Sequence, residues 1–381
     1  MEKIKLDDLC VPSARQIKED PDKLIDYIDI ASVDNENKKV TGFQTMSFGE
    51  APSRARKAVK KGSILVSTVR PNLNAVAILE DDTPNVSVAS TGFCILNCKD
   101  NVDNRFVFNF CKSKAFIEDM VSQATGASYP AVSDNIVRSA LVPNYPYEEQ
   151  CHISEILDRV SSAIEKRKVE LAILDDLIKA RFVEMFANWK KKYLAEPLGE
   201  YLQDITYGFT NPMPDAEEGP WKITAKDVVN GIVNLDTARK TLQESYDKLT
   251  EKSKPQLGDV LLTKDGTLGR TAVVEIEGMC VNQSVAVLRI NEKILPKYLS
   301  ILLQMPKYQR DMIADAGGGT IKHIYITKVV KMPIVVPSIE EQNTFLGFIN
   351  QVDKSKFKEK SCYIKYKILK IRHRQIYLLR K

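Results

Sequence analysis

No run of the roughly 18–20 apolar residues needed to cross a bilayer occurs in the 381-residue chain. The opening stretch, MEKIKLDDLC, lacks the apolar core of a secretory signal, so a cytoplasmic location is expected. Seven cysteines, an odd number scattered along the chain, argue against a disulfide framework. The one close pair, Cys94 and Cys98, has no histidine near it in sequence. His152, His323 and His373 all lie far off, so buried strand thiols are expected there and no metal. A large charge excess is also missing: 55 basic against 50 acidic residues leaves +5. That is weaker than the footprint of a free-standing basic DNA binder, and it permits nucleic acid without demanding it.

What the chain does contain is one large unit written twice. VRSALVPNYPYEEQCHISEILDRV, from Val137 to Val160, is matched by VVKMPIVVPSIEEQNTFLGFINQV, from Val329 to Val352. Pro143 is paired with Pro337, and Glu148-Glu149-Gln150 with Glu340-Glu341-Gln342, with two extra residues in the first copy. Other segments fall into step at an offset of about 194 residues. Lys60–Thr68 corresponds to Gln256–Lys264, each a glycine turn feeding an apolar strand. Val86–Leu96 corresponds to Cys280–Ile290, Tyr27–Asp34 to Trp221–Val228, and Thr125–Ser133 to Gly318–Ile326. Matches in one shared order are not expected by chance.

Each copy opens with short strands separated by Gly, Pro and Asn turns and closes with a long helix. The domains are set at 1–146, 147–190 (helix), 191–338 and 339–381 (helix). In the first helix Ile153, Leu157, Val160, Ile164, Leu171, Leu174, Ile178 and Met185 follow the alternating four–three spacing of a coiled-coil seam. Arg167 and Arg181 occupy seam positions, so the partner face is expected to offer acceptors or let them reach solvent. The second helix carries Phe345, Ile349, Val352, Tyr363, Tyr366 and Tyr377 in the same register, interrupted by Lys356, Glu359, Lys370 and His373. At 1.5 Å per residue each helix spans roughly 60 Å. The expected fold is α/β (α+β): two similar domains held at opposite ends of two long helices packed as an antiparallel coiled coil, with a pseudo-twofold internal repeat.

This order of variable domain, long helix, variable domain, long helix resembles the specificity subunits of type I restriction–modification systems over essentially the whole chain. The phrases LGEYLQDITYGFTNP, GDVLLTKDGTLGRTAVV and CVNQSVAVLRI in the second domain agree with it, as do KKGSILVSTVRPNLNAVAIL and SVASTGFCIL in the first. The resemblance implies that each target recognition domain reads one half of a split, asymmetric site in double-stranded DNA. It also implies that the helices act as a ruler and dock methyltransferase subunits, two copies by the twofold repeat, with restriction or translocase subunits as further partners. No cofactor is expected on this chain; S-adenosylmethionine belongs to the partner methyltransferase.

On this resemblance the polar loop tips become DNA-contact candidates. Arg70, Asn72 and Asn74 in STVRPNLN suit guanine and adenine edges by bidentate hydrogen bonding. Lys264, Thr267 and Arg270 in KDGTLGR are their counterparts, with Gly266 and Gly269 permitting a tight turn close to phosphate. Tyr207, Thr210 and Asn211 form another loop; Ser128 and Tyr129, matched by Thr320, Lys322 and His323, form a third. Basic clusters at Lys190–Lys192 and at Lys370, Arg372, Arg374 and Arg380 are read mainly as solvated helix faces.

KDGTLGR lacks the Gly-Lys-Ser/Thr ending of a phosphate-binding loop and precedes a strand, so nucleotide binding is rejected. No paired-proline methyltransferase motif is found, the nearest being NPMP at Asn211–Pro214. The histidines assemble no catalytic triad. A non-catalytic subunit is therefore expected. A coiled-coil scaffold that binds only proteins, and a stand-alone sequence-specific DNA binder, stay open as alternatives. Neither the DNA target nor the spacer length is written in the residues.

Overall fold

A computed structural model describes residues 2–12, 16–186, 194–229, 231–314 and 322–378. The chain divides into two compact units. The first joins Met1–Val169 to Glu359–Lys381, and the second is Glu170–Lys358. Both divisions fall inside the long helices, Tyr147–Phe186 and Ile339–Leu378, so each unit owns half of each helix.

In the first unit, Ile64–Ser67 lies between Phe93–Leu96 and Val76–Ile78, antiparallel to both. Its residues alternate between two cores. Ile64 and Val66 face the helices Asn104–Cys111 and Lys114–Ser122, while Leu65 faces a second cluster around Phe93 and Ile95. A strand covered on both faces has no polar side to show, which explains why ILVS reads apolar without alternation. A second sheet pairs Leu24–Ile28 parallel to Val86–Ser90, flanked by Gln44–Ser47 and Ala55–Ala58.

The second unit repeats this plan. Val260–Thr263 lies between Val285–Ile290 and Thr271–Val273, and its Val260 and Leu262 enter one core while Leu261 enters the other. Ala216–Ile223 runs parallel to Met279–Val281, as Leu24–Ile28 does to Val86–Ser90. Leu202–Tyr207 adds a strand beside Val285–Ile290.

The acidic-pair–glutamine motif has a physical role in both copies. The Gln150 side chain accepts from Asp103 N at 3.0 Å and donates to Tyr145 O at 2.8 Å. Gln342 accepts from Leu295 N at 2.8 Å and donates to Pro337 O at 2.9 Å and Lys293 O at 3.0 Å. Both glutamines are buried. Asp103 and Leu295 are the N-caps of corresponding helices, Asn104–Cys111 and Pro296–Gln304, so each glutamine pins the start of a long helix to the start of a core helix. In both copies the accepting carbonyl lies five residues before the glutamine. Tyr145 therefore stands where Pro337 stands, and the pairing of Pro143 with Pro337 is corrected. The two extra residues disappear, and Leu6 N to Ala140 O aligns with Leu198 N to Met332 O in the same frame.

Within the first unit Ile153, Leu157 and Val160 are buried, the first two in one cluster with Leu378 of the second helix. Ile164 is half-buried, and the seam residue Arg167 meets Glu359 at 2.7 Å. His373 stacks on Tyr377, centroids 5.7 Å apart. Within the second unit Leu171, Leu174, Ile178 and Met185 are half-buried, and Phe345, Ile349 and Val352 are buried. Asp175 pairs with Lys356, while Phe182, two turns further along, meets Phe345 at 5.7 Å, so the two half-helices run antiparallel. Arg181 bonds Glu184 on its own helix and lies over the Phe348 ring. Two of the seam-breaking residues, Glu359 and Lys356, thus have oppositely charged partners on the facing helix. Phe182, Phe186, Tyr298 and Phe345 close this core, with centroids 5.0–6.4 Å apart, in the range where aromatic pairs attract beyond simple burial.

Candidate nucleic-acid interface

The apolar middle strand of each unit ends in a polar tip. In the first unit the tip runs through the one-turn 3₁₀ helix Pro71–Leu73, flanked by Arg70 and Asn74, both in the left-handed region at φ 50° and 46°. Non-glycine residues there carry strain of order 1 kcal/mol each. The surroundings hold the loop in place. Arg70 N donates to Pro130 O at 2.7 Å and Val132 N to Thr68 O at 2.9 Å, bridging Val69 to Ala131. Gly126, at φ +98°, turns this second loop; a Cβ there would sit 2.8 Å from Tyr129 O.

The result is a composite tip. Arg70 and Asn72 are exposed, and the Arg70 guanidinium lies 5.0 Å from the centroid of Tyr129, itself 69% exposed. Ser128 is exposed beside them. Asn74 is different: it is 8% exposed, and its side-chain amide donates to Cys111 O at 3.0 Å. It braces the loop against the helix below and presents no amide to a ligand, so it is removed from the contact candidates. Lys38, also left-handed at φ 59°, donates to Asn74 O from the other side.

The second unit builds the same connection with different side chains. Ile324 N donates to Lys264 O at 2.9 Å and Asp265 bridges to His323, as Val69 does to Ala131. Asp265, which no sequence motif marks, joins two of the candidates: one carboxylate oxygen accepts from Lys264 Nζ at 2.8 Å and the other lies 2.5 Å from His323 Nδ1. Adjacency to Lys264 was its only signal. Lys264 also lies 5.3 Å from the Tyr207 ring centroid and its side chain is 17% exposed, so its position is fixed by Asp265 and Tyr207. Thr267 and Lys322 are exposed and Arg270 is half-exposed; Thr320 lies outside the described residues. Gly269, at φ +77°, is gripped through its carbonyl by Gln304 and Gln309 at 2.7 and 2.8 Å.

Tyr207, the last residue of its strand, and Thr210 and Asn211 on the loop that follows are exposed, beside a surface hollow of about 580 Å³ that also reaches Lys248–Ser253. Gly208 makes this placement possible, because a Cβ there would fall 1.7 Å from Val281 O.

The terminal basic cluster behaves differently from a solvated face. Arg374 donates to Lys112 O at 3.5 Å, and Lys112 lies 3.6 Å from the Phe108 ring centroid. Burial, with Arg374 and Lys370 nearby, pushes Lys112 down to about 6; burial and Arg374 push Lys370 to about 8. These residues are turned inward, whereas Arg372 is exposed; Lys190–Lys192 and Arg380 lie outside the described residues.

The family described as "Type I restriction modification DNA specificity domain" matches at residues 1–173 and 211–362. The specificity subunit of the type I restriction enzyme EcoBI of Escherichia coli is 22% identical over 287 residues, 67% of this chain and 60% of that protein. The HindI specificity subunit of Haemophilus influenzae is 25% identical over 224 residues, 57% of this chain and 46% of that protein. The chain therefore spans about half to two thirds of the length of these relatives. Among solved structures it superposes on a chain from work on complex assembly and conformational transition of the type I R-M system. That match has a TM-score of 0.60 at 22% identity, covering 98% of this chain and 96% of that one. The type I restriction-modification S subunit from M. genitalium gives 0.57 at 15% identity, covering 100% and 96%. These likenesses are of fold. Among the described residues no helix is long and apolar enough to cross a membrane.

Proposed function

The chain belongs to the type I restriction modification DNA specificity domain family, and from that premise we propose that it reads double-stranded DNA for a larger enzyme. Each unit reads one half of a split, asymmetric site. The observation that carries this is the duplicated tip: one backbone bridge, Val69 to Ala131 and Asp265 to His323, carrying Arg70 with Tyr129 in one unit and Lys264 with Asp265 and His323 in the other. The same frame with different donors and acceptors suits different bases, because major-groove readout is a matter of which groups are offered at a fixed depth.

The two uninterrupted helices, shared by both units, set the gap between half-sites in this proposal. Apolar side chains left exposed on them support docking of methyltransferase subunits: Ile173, Leu177 and Phe357 in the second unit, Val169, Ile364 and Ile371 in the first. Methyl transfer, its S-adenosylmethionine and any DNA cleavage then reside in partner subunits, two methyltransferases matching the twofold repeat. The test is to express the chain with its genomic neighbours and map methylated bases in host DNA. A split, asymmetric motif that vanishes on deletion of this chain supports the proposal. Unchanged methylation with active neighbours refutes it.

A further inference from the structure

After the short helix Leu6–Leu9 the chain runs antiparallel to the segment leaving the strand Phe93–Leu96. Val11 N donates to Asn97 O at 2.9 Å and Lys99 N donates to Leu9 O at 3.0 Å, so Cys10 and Cys98 oppose each other between these two bonds. That is the non-hydrogen-bonded position of an antiparallel pair, where Cα atoms approach to about 4.5 Å and side chains share a face. Disulfides span Cα separations of about 4.4–6.8 Å, a range that includes the usual spacing of such a pair. Both residues are free thiols.

The surroundings distinguish this pair from inert core cysteines. Cys10 is only 3% exposed and packs in the first core, yet it borders a surface hollow of about 550 Å³ that Asp7, Asp8, Lys99 and Arg138 also line. Arg138 is 6% exposed; its Nε pairs with Asp7 and its Nη2 with Val11 O, while Nη1 has no hydrogen-bond partner among the described residues. A buried guanidinium nitrogen without an acceptor, on a residue that lines the same hollow as Cys10, is a donor available to an anion formed there. The neighbouring Cys98 thiol, with Arg138 and Lys99, holds Cys10 below the ordinary thiol value against the opposing effects of burial and Asp7, while the Cys10 sulfur beside it and burial push Cys98 up. Cys98 lines a separate hollow of about 420 Å³ and is half-exposed.

We propose that Cys10 and Cys98 form an oxidation site, a thiol pair that a hydroperoxide converts to an intramolecular disulfide. The Cys10 thiolate attacks one peroxide oxygen; an S–O bond forms, the O–O bond breaks, and the departing hydroxide takes a proton and leaves as water. Cys98 sulfur then attacks the sulfenic sulfur; the S–S bond forms, the S–O bond breaks, and a second water leaves carrying the Cys98 proton. Two thiols lose two electrons and hydrogen peroxide is reduced to two waters. The bond would tie the amino-terminal segment, which pairs through Lys3–Lys5 with Leu141–Pro143 just ahead of the first long helix, to the strand side of the core.

The full-length chain, reduced and then exposed to hydrogen peroxide, is alkylated and digested without reductant. The expected product is one peptide pair joined through Cys10 and Cys98, with reactive thiols in denaturant falling from seven to five. Closing a loop of this length raises the unfolding temperature of the first unit by on the order of 10 °C. Dithiothreitol reverses that shift, and C98S does not show it. The linked peptide is read on the unaltered chain, so the test survives a C98S that fails to fold. Two results overturn the proposal. One is Cys10 driven to sulfinic acid with Cys98 still alkylated. The other is both thiols remaining free at peroxide levels that oxidise half-exposed Cys362.

Discussion

Gln342→Ala removes one of the two pins that fix where a long helix begins. The side chain is fully buried and makes three hydrogen bonds, to Leu295 N, Lys293 O and Pro337 O. Truncation leaves an amide and two carbonyls without partners in a space too tight for the chain to relax around freely. At about 1 kcal/mol net per hydrogen bond, the loss is roughly 3 kcal/mol. For a unit of this size that lowers the melting temperature by roughly 6–12 °C. Gln342→Glu is expected to do at least as much harm, because a carboxylate would face two carbonyl oxygens. Calorimetry of the full chain gives the shift. Hydrogen exchange at Leu295–Met305 and Ile339–Phe345 shows whether the loss is centred on the two helix starts. A melting temperature within about 2 °C of the unaltered chain, with unchanged exchange at Leu295, would refute the idea that the glutamine acts as a pin.

Three further outcomes follow from the structure. Phe345→Ala empties the centre of the aromatic cluster and is expected to cost about 3–5 kcal/mol in urea unfolding of the second unit, with the first unit unaffected. Arg167→Glu places like charge against Glu359 and destabilises the seam, while the double swap with Glu359→Arg recovers most of the loss; a double-mutant cycle giving no coupling would contradict the pairing. Lys112 titrates at about 6 when folded against 10.5 in the open chain. The unfolded state therefore binds the extra proton between those values, and the first unit gains stability as pH rises from about 6 toward about 10. Lys112→Met is expected to raise its melting temperature near pH 7 and to flatten that rise, and an unchanged pH profile would show that Lys112 is not the source.

Much of the architecture was legible because repeats and seams are written in spacing. Every position of the alternating four–three spacing from Ile153 to Met185 is buried or half-buried, since packing two helices demands one stripe along each. The strands ILVS and VLLT were legible as apolar, but not that each feeds two cores, because burial on both faces erases the alternation that tells one face from the other. The glutamine motif was found without its reason, and anchoring the repeat on Pro143 and Pro337 misplaced it by two residues. Proline marks a local turn, whereas the spacing shared by the two copies is set by a hydrogen bond from a side chain five residues on. At the tips, the sequence singled out loops that the backbone bridges Val69–Ala131 and Asp265–His323 bring together, without separating the roles inside them. Asn74 and Arg70 are equally polar on paper, and only tertiary contact turns one inward to Cys111 O and the other outward over Tyr129. Asp265, tying Lys264 to His323 across 58 positions, was beyond reach for the same reason.

The most direct test of the two-reader proposal is to compare Arg70→Ala with Lys264→Ala in the assembled methyltransferase, mapping the methylated motif for each. Arg70→Ala is expected to relax or abolish one half of the motif and Lys264→Ala the other, each losing about 1–3 kcal/mol of discrimination against the wrong base. Both substitutions degrading the same half, or neither altering any base of the motif, would contradict the assignment of one half-site to each unit.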